Sequence, residues 1–169
     1  MSEVAREILP ESTLEPEVLS ESVPVLPMRW HGFLVKFYLW LAAAYHLFQA
    51  AWMVFGNIYI EAAAREAIYA SMPGMQIADY GFAGILAVVS VLQLLACRKL
   101  AKKKLAGIAL LKGAYILLTL AILGYLLARL LISGMPLLNL PLLGQAVSYM
   151  ALLWINHSYY RKRCNAFNP

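Results

Sequence analysis

Four long apolar runs dominate this sequence, and they restrict what its backbone can fold into. The runs cover residues 33–55, 80–97, 107–132 and 142–160 and are 23, 18, 26 and 19 residues long. About 20 helical residues cross a hydrocarbon layer of about 30 Å. A backbone surrounded by lipid must satisfy its own polar groups, and an α-helix does so within one segment. The pattern therefore predicts an all-α fold, a four-helix transmembrane bundle.

The distribution of Lys and Arg predicts how this bundle is oriented. Five basic residues crowd the short connection between the second and third runs, and residues 161–163 add three more after the fourth. The members of this basic loop are Arg98, Lys99, Lys102, Lys103 and Lys104. Loops rich in Lys and Arg stay on the cytoplasmic side. We therefore expect a multi-pass protein of the cell membrane with both termini in the cytoplasm.

The amino-terminal segment differs from the rest of the chain. Residues 1–27 contain six Glu, one Arg and four Pro, a net charge of −5, whereas residues 28–169 carry +10. Such a segment cannot bury enough apolar surface to offset its ordering entropy. We predict a disordered acidic cytoplasmic tail, residues 1–27, and a membrane domain, residues 28–169. The tail could fold back and compete with lipid for the basic loop.

The composition also narrows the classes of partner. The chain is 62% hydrophobic and 14% charged, whereas soluble domains average about 45–50% apolar and about 25% charged residues. The basic residues border the apolar runs, so the predicted counter-charge is the anionic headgroup of membrane lipids, and no nucleic acid is expected. A protein partner or a homo-oligomer is a further alternative.

The connection after the first run should contain a short helix on the outer surface. Glu61 and Arg65 are four residues apart in the favourable order, and the Pro73-Gly74 pair stops a helix. We predict this helix over residues 58–72, with Tyr69 facing the spans.

Five polar residues within the runs form a candidate intramembrane polar site: His46, Gln49, Gln93, Lys112 and Gln145. One interpretation is structural, with His46 bonded to Gln145, Ser148 or a tyrosine of a neighbouring helix. The other is functional, with a ligand, a proton relay or a polar transport path at His46. No acidic residue lies inside a run, which argues against transport coupled to a cation.

Other residues in the runs suggest specific contacts. Arg129, near the outer end of the third run, is expected to reach the outer surface or to meet Asp79 or Glu66. An inner cluster of Gln93, Lys112, Asn156 and His157 is also expected. Small residues four apart predict close helix packing. These pairs are Ala83 and Ala87, Ala109 and Gly113, Gly124 and Ala128, and Gly144 and Ser148.

Several short strings resemble those of small four-span membrane proteins from Firmicute-type bacteria, a group with no assigned activity. The strings are Arg29-Trp30, Phe33-Leu34, Phe37 and Leu39-Trp40; Pro73-Gly74-Met75 and Asp79; and Asn156, Tyr159-Tyr160, Lys162-Arg163 and Phe167. The resemblance covers residues 28–169 and implies the four-span architecture. Some such proteins carry a zinc ribbon before the spans, but this chain has no Cys there, so no metal is implied.

The sequence contains no catalytic constellation that we can identify. Its two cysteines, Cys97 and Cys164, lie beside basic clusters and are expected to be free thiols. We find no pairing of a nucleophile with a base and no metal-ligand spacing, so no enzyme activity, metal or cofactor is expected. The predicted function is a non-enzymatic integral membrane protein that interacts with a partner or with lipid. The alternative is a small transporter or channel subunit with a polar path near His46.

Overall fold

The computed structural model describes residues 27–56, 62–134 and 140–168, and the regular secondary structure of these residues is helical. Helix α1 is one rod of three stretches: α-helical Arg29–Phe33, π-helical Leu34–Tyr38 and α-helical Leu39–Phe55. Four helices follow: α2 is Ala62–Ser71, α3 is Pro73–Ala101, α4 is Leu105–Ser133 and α5 is Leu140–Arg161. A short 3-10 turn, Cys164–Ala166, comes after α5. The predicted acidic tail lies outside the described residues, apart from Pro27.

The helix ends follow from glycine and proline. Gly56 ends α1 with a φ of +100°, and Gly134 ends α4 with a φ of +66°; both are angles that residues with a Cβ rarely adopt. Pro73 is the first residue of α3. It separates α2 from α3 because proline lacks an N–H and disfavours a helical conformation at Met72. The predicted outer helix, residues 58–72, corresponds to α2, and residues 57–61 lie outside the described part.

Two helices, α3 and α4, are long and apolar enough to cross a membrane. Each has 29 residues, so both extend beyond the runs expected for them. The π-helical stretch divides α1 into shorter α-helical pieces, and polar residues such as Gln145 and Asn156 lower the mean hydropathy of α5. The structure therefore supports an all-helical protein with two candidate membrane helices.

The long helices pack in the order of the chain: α1 on α3, α3 on α4, and α4 on α5. Leucines from α3 and α4, including Leu86, Leu111 and Leu118, are almost fully buried between them. Near their connection the two helices approach closely, because a Cβ on Gly107 would lie 2.7 Å from the backbone nitrogen of Leu100. The backbones of α1 and α5 are not closely packed on each other. We call them the edge helices; they face each other and are joined by long side chains.

Only one of the four small-residue pairs lies in a packed interface of this chain. Ala83 is buried and Ala87 is half-buried on α3. By contrast, a Cβ added to Gly113, Gly124 or Gly144 would meet no atom within 4 Å. The rotation of each helix points these three pairs outwards, so they do not pack against helices of this chain; the alternative of packing between two copies stays a prediction.

One end of the bundle is closed by the last described residues. We call it the basic end: the α3–α4 turn with its lysines, the start of α1, and residues 161–168. The backbone N–H of Asn168 donates to the Lys103 carbonyl (2.8 Å), and the Leu105 N–H donates to the Asn168 carbonyl (2.9 Å). Phe167 is buried, with its ring 5.4 Å from the centroids of both His31 and Tyr160. The chain after α5 is thereby held against both the turn and α1.

Candidate functional site

The polar centre of the bundle joins three helices through His46 of α1. His46 Nδ1 lies 3.0 Å from Gln93 Oε1 of α3, and His46 Nε2 lies 2.7 Å from Tyr149 Oη of α5. With the Gln93 oxygen as acceptor, Nδ1 donates and Nε2 accepts from the Tyr149 hydroxyl; Gln93 Nε2 is then buried without a partner in the described part of the chain. His46 and Gln93 are almost completely buried. Both ring nitrogens are therefore used in bonds between helices.

This geometry matches the structural interpretation of His46, with a tyrosine as its partner. The other two residues proposed as partners, Gln145 and Ser148, do not bond to it: Ser148 donates to the Gly144 carbonyl within α5. Gln49 and Gln145 instead meet at Tyr45, where each side-chain Nε2 lies 3.0 Å from the hydroxyl oxygen. The candidate polar site thus divides into a buried centre and a second, more exposed set.

The fifth predicted member, Lys112, lies apart from the other four. It is half-buried on α4 and shares no hydrogen bond with them among the described residues. The expected inner cluster also does not form, because Asn156 accepts from Trp30 Nε1 at 3.0 Å and His157 is exposed. Neighbouring residues on a helix point about 100° apart, so Asn156 and His157 cannot both face the core.

A groove opens between the edge helices α1 and α5, in the half of the bundle away from the basic end. Its volume is about 510 Å³, within the range of about 300–1,000 Å³ typical of ligand pockets. Most of its lining is apolar or aromatic: Tyr45, Phe48, Gln49, Trp52 and Met53 of α1, Phe82 and Leu86 of α3, Tyr125 and Arg129 of α4, and Pro141, Leu142 and Gln145 of α5. It lies where the backbones of α1 and α5 are not closely packed on each other.

A second cavity of about 270 Å³ continues from the groove beneath α2. The two share Trp52, Met53, Tyr125 and Arg129. In the second cavity, Asp79 accepts hydrogen bonds from the hydroxyls of Tyr69 (2.8 Å) and Tyr125 (2.7 Å), one to each carboxylate oxygen. Burial and the bond to Asp79 raise the pKa of Tyr69 to about 12, so Tyr69 remains a donor at neutral pH.

Two arginines lie around this pair of cavities. The Arg129 guanidinium is 5.6 Å from the centroid of the Tyr125 ring, and its Nε is buried without a hydrogen-bond partner in the described part of the chain. The Arg65 guanidinium is 5.9 Å from the Tyr69 centroid. The expected pairing of Arg129 with Asp79 or Glu66 is absent from the described residues. The two tyrosine hydroxyls occupy Asp79 instead.

The predicted basic loop is an exposed surface. All five of its side chains are exposed, and Lys103 has a positive φ of 51° in the tight turn. The two cysteines nearby are free, as expected: Cys164 is exposed, while Cys97 is buried. The Cys97 thiol lies 3.2 Å from the carbonyl of Val35, a residue of the π-helical stretch where the regular α-helical bonding is altered.

The sequence reasoning expected a tyrosine partner for His46 without naming Tyr149, and it missed Tyr45 of the second polar set and Tyr125 at Asp79. Tyrosines are expected at the membrane boundary, so one deep within an apolar run is the signal that could have identified them. Among the described residues, no group of three His, Cys, Asp or Glu side chains could hold a metal ion. Comparisons with protein-family models, curated proteins and solved structures gave no match.

Proposed function

We propose that this chain is a non-enzymatic protein of the cell membrane with four spans and both termini in the cytoplasm. Its cytoplasmic surface, the basic loop, binds anionic lipid headgroups. One observation supports this proposal above the others. The sides of the bundle expose apolar side chains, whereas its basic end exposes the five cationic side chains of the basic loop.

The lengths of the four long helices support four spans. Helix α1 covers 27 residues in one rod, because the residues at its internal junctions keep helical angles, and it is about 40 Å long. Helix α5 has 22 residues, or about 33 Å. Each therefore matches a hydrocarbon layer of about 30 Å.

The outer faces of these helices also suit lipid. Leu41 of α1 is 73% exposed, Leu131 of α4 is 75% exposed and Trp154 of α5 is 71% exposed. Exposed apolar residues on every long helix would form a larger patch than soluble monomers carry. A bilayer would cover this surface without further protein.

Lipid binding at the basic loop follows from charge and exposure. Each Lys or Arg near an anionic membrane surface contributes about 1 kcal/mol of attraction. His46, the strongest candidate for a transport path, has both ring nitrogens bonded to neighbouring helices and lines neither the groove nor the cavity beneath α2. Its geometry favours a structural role over the transporter alternative.

The topology can be tested with the chain's own cysteines. A membrane-impermeant maleimide should leave Cys164 unlabelled in intact cells and label it after permeabilisation, while the buried Cys97 should react slowly in both. In a Cys164→Ser background, an introduced Ser71→Cys on the exposed face of α2 should be labelled in intact cells. Labelling of Cys164 from outside would contradict the proposed orientation.

Lipid binding can be tested in reconstituted vesicles. Spin-labelled phosphatidylglycerol should be enriched beside the wild-type protein relative to phosphatidylcholine, and replacing the five basic-loop residues with Gln should reduce this enrichment. Equal enrichment of phosphatidylglycerol beside the wild type and the five-Gln variant would show that the basic loop does not bind anionic lipid. Cross-linking in native membranes tests the protein-partner and homo-oligomer alternatives in parallel.

A further inference from the structure

We propose that the groove between α1 and α5 is a binding site for one anionic phospholipid of the outer leaflet. Its acyl chain would lie in the groove, and its phosphate would lie at Arg129. This proposal rests on the four-span arrangement described above, but it concerns the end of the bundle opposite the basic loop.

The charges at the rim favour an anion. Arg129 lines both the groove and the cavity beneath α2, and Arg65 lines the latter. The acidic group in these linings, Asp79, already accepts one tyrosine hydroxyl on each oxygen. A guanidinium at the edge of a bilayer needs a counter-charge or water, and Arg129 forms no ion pair with a carboxylate in the described residues.

The donors at the rim suit a phosphate. Arg129 Nε is buried and has no hydrogen-bond partner among residues 27–56, 62–134 and 140–168. A guanidinium offers a planar fork of N–H groups that matches phosphate oxygens. Arg65 lines the same cavity beneath α2, and its Nη1 makes a long contact of 3.4 Å with the Val54 carbonyl. Two guanidinium groups could therefore face one phosphodiester.

The shape and polarity of the groove suit an acyl chain. Away from Arg129, the lining consists mostly of aromatic and aliphatic side chains such as Phe48, Phe82 and Leu86. Its polar members, Gln49 and Gln145, are already bonded to Tyr45. The groove also opens sideways between two helices that do not pack on each other, so a lipid tail could enter from the bilayer.

The test is retention of lipid by purified protein in native mass spectrometry. The protein would be exchanged into detergent with equal amounts of phosphatidylglycerol and phosphatidylcholine. All variants are made in protein whose five basic-loop residues are replaced by Gln, so that lipid held at the loop is not counted. This protein should keep one phosphatidylglycerol under conditions that strip phosphatidylcholine. Arg129→Gln should weaken that retention about tenfold or more, whereas Lys36→Gln, which removes an exposed charge at the basic end, should leave it unchanged.

A second variant keeps the test informative if Arg129→Gln fails to fold. Gln145→Trp should fill the groove without changing any charge and should also abolish retention. Equal retention of both lipids, retention unchanged in these variants, or a bound mass that matches a fatty acid or a quinone would overturn the proposal. Because the maleimide experiment tests the spans separately, a negative result here would leave the four-span arrangement standing.

Discussion

The two ends of this bundle are built differently. At the basic end, α1 and α5 are joined by direct bonds: Trp30 donates to Asn156, and His31 Nδ1 lies 3.0 Å from the Tyr160 hydroxyl. The buried Phe167 and the backbone of Asn168 add a further layer. At the opposite end, the same two helices leave a groove of about 510 Å³ between them.

The difference shows how a row of helices can be closed at one end and open at the other. Helices α3 and α4 pack on each other, and each also packs on one edge helix, α1 or α5. The two edge helices are joined to each other by side-chain hydrogen bonds. Polar side chains make that bridge at the basic end and, through His46, at mid-height. Beyond Tyr45, where the side-chain hydroxyl lies 3.0 Å from Gln145 Nε2, the two helices line the groove with mostly apolar side chains, and Arg129 lies at its edge. The groove therefore opens sideways, in the half of the molecule away from the basic end.

The largest expected effect comes from disturbing the close approach that anchors the basic end. In Gly107→Ala, the new Cβ would lie 2.7 Å from the Leu100 nitrogen, so helix backbone must move. We expect a loss of about 3 kcal/mol in the free energy of unfolding, measured by denaturation in detergent. Gly113→Ala is the matched control, since no atom lies within 4 Å of its added Cβ. It should be neutral or slightly stabilising, and equal losses would contradict this account.

A smaller effect is expected from removing one bridge between the edge helices. Trp30→Phe deletes the bond to Asn156 and leaves its buried oxygen unpaired, so we expect a cost of about 1 kcal/mol. Trp154→Phe is the control, because Trp154 is 71% exposed. If both variants lose the same stability in thermal melts, the bridge at the basic end does not contribute to closure.

The smallest expected effect concerns pH. Burial lowers the pKa of His31, and the nearby positive charge of Lys103 lowers it further. The neutral ring is the form that the fold favours, so the contribution of His31 is complete above the unfolded-state pKa of about 6.5 and is lost as the pH falls below it.

Melting temperatures between pH 8 and pH 5 would check this prediction. His31→Asn should remove part of the loss seen at low pH, whereas His157→Asn, at an exposed position, should leave the profile unchanged. Identical profiles for the wild type and His31→Asn would show that His31 does not make the basic end sensitive to acid.

Much of the fold could be predicted from the sequence, because helix length and apolar pattern are local properties. The positions of α3 and α4, the stop at Pro73 and the short α2 follow from such signals. The rotation of each helix is not local, since it depends on which neighbours are packed. For this reason the small residues on α4 and α5 were assigned to interfaces, and His157 was grouped with Asn156.

The candidate site was predictable only in part. A deep histidine stood out, and its structural interpretation included a tyrosine partner. The groove could not be foreseen, because it depends on how far apart the backbones of α1 and α5 lie, and this distance is not a local property of either segment. The pairing of Asp79 with two tyrosines was also hidden, since Tyr125 lies 46 positions away in the chain and the apparent partner was Arg129.

The backbone pairing of Asn168 with the α3–α4 turn has a consequence for biosynthesis. The ribosome makes that turn well before it makes the strip that covers it. The Lys103 carbonyl and the Leu105 amide therefore lack these hydrogen-bond partners until the residues after α5 have left the ribosome. While Phe167 and Asn168 have not emerged, the α3–α4 turn lacks the cover that these residues provide, and we expect it to be more open to proteolysis at that stage than in the folded protein.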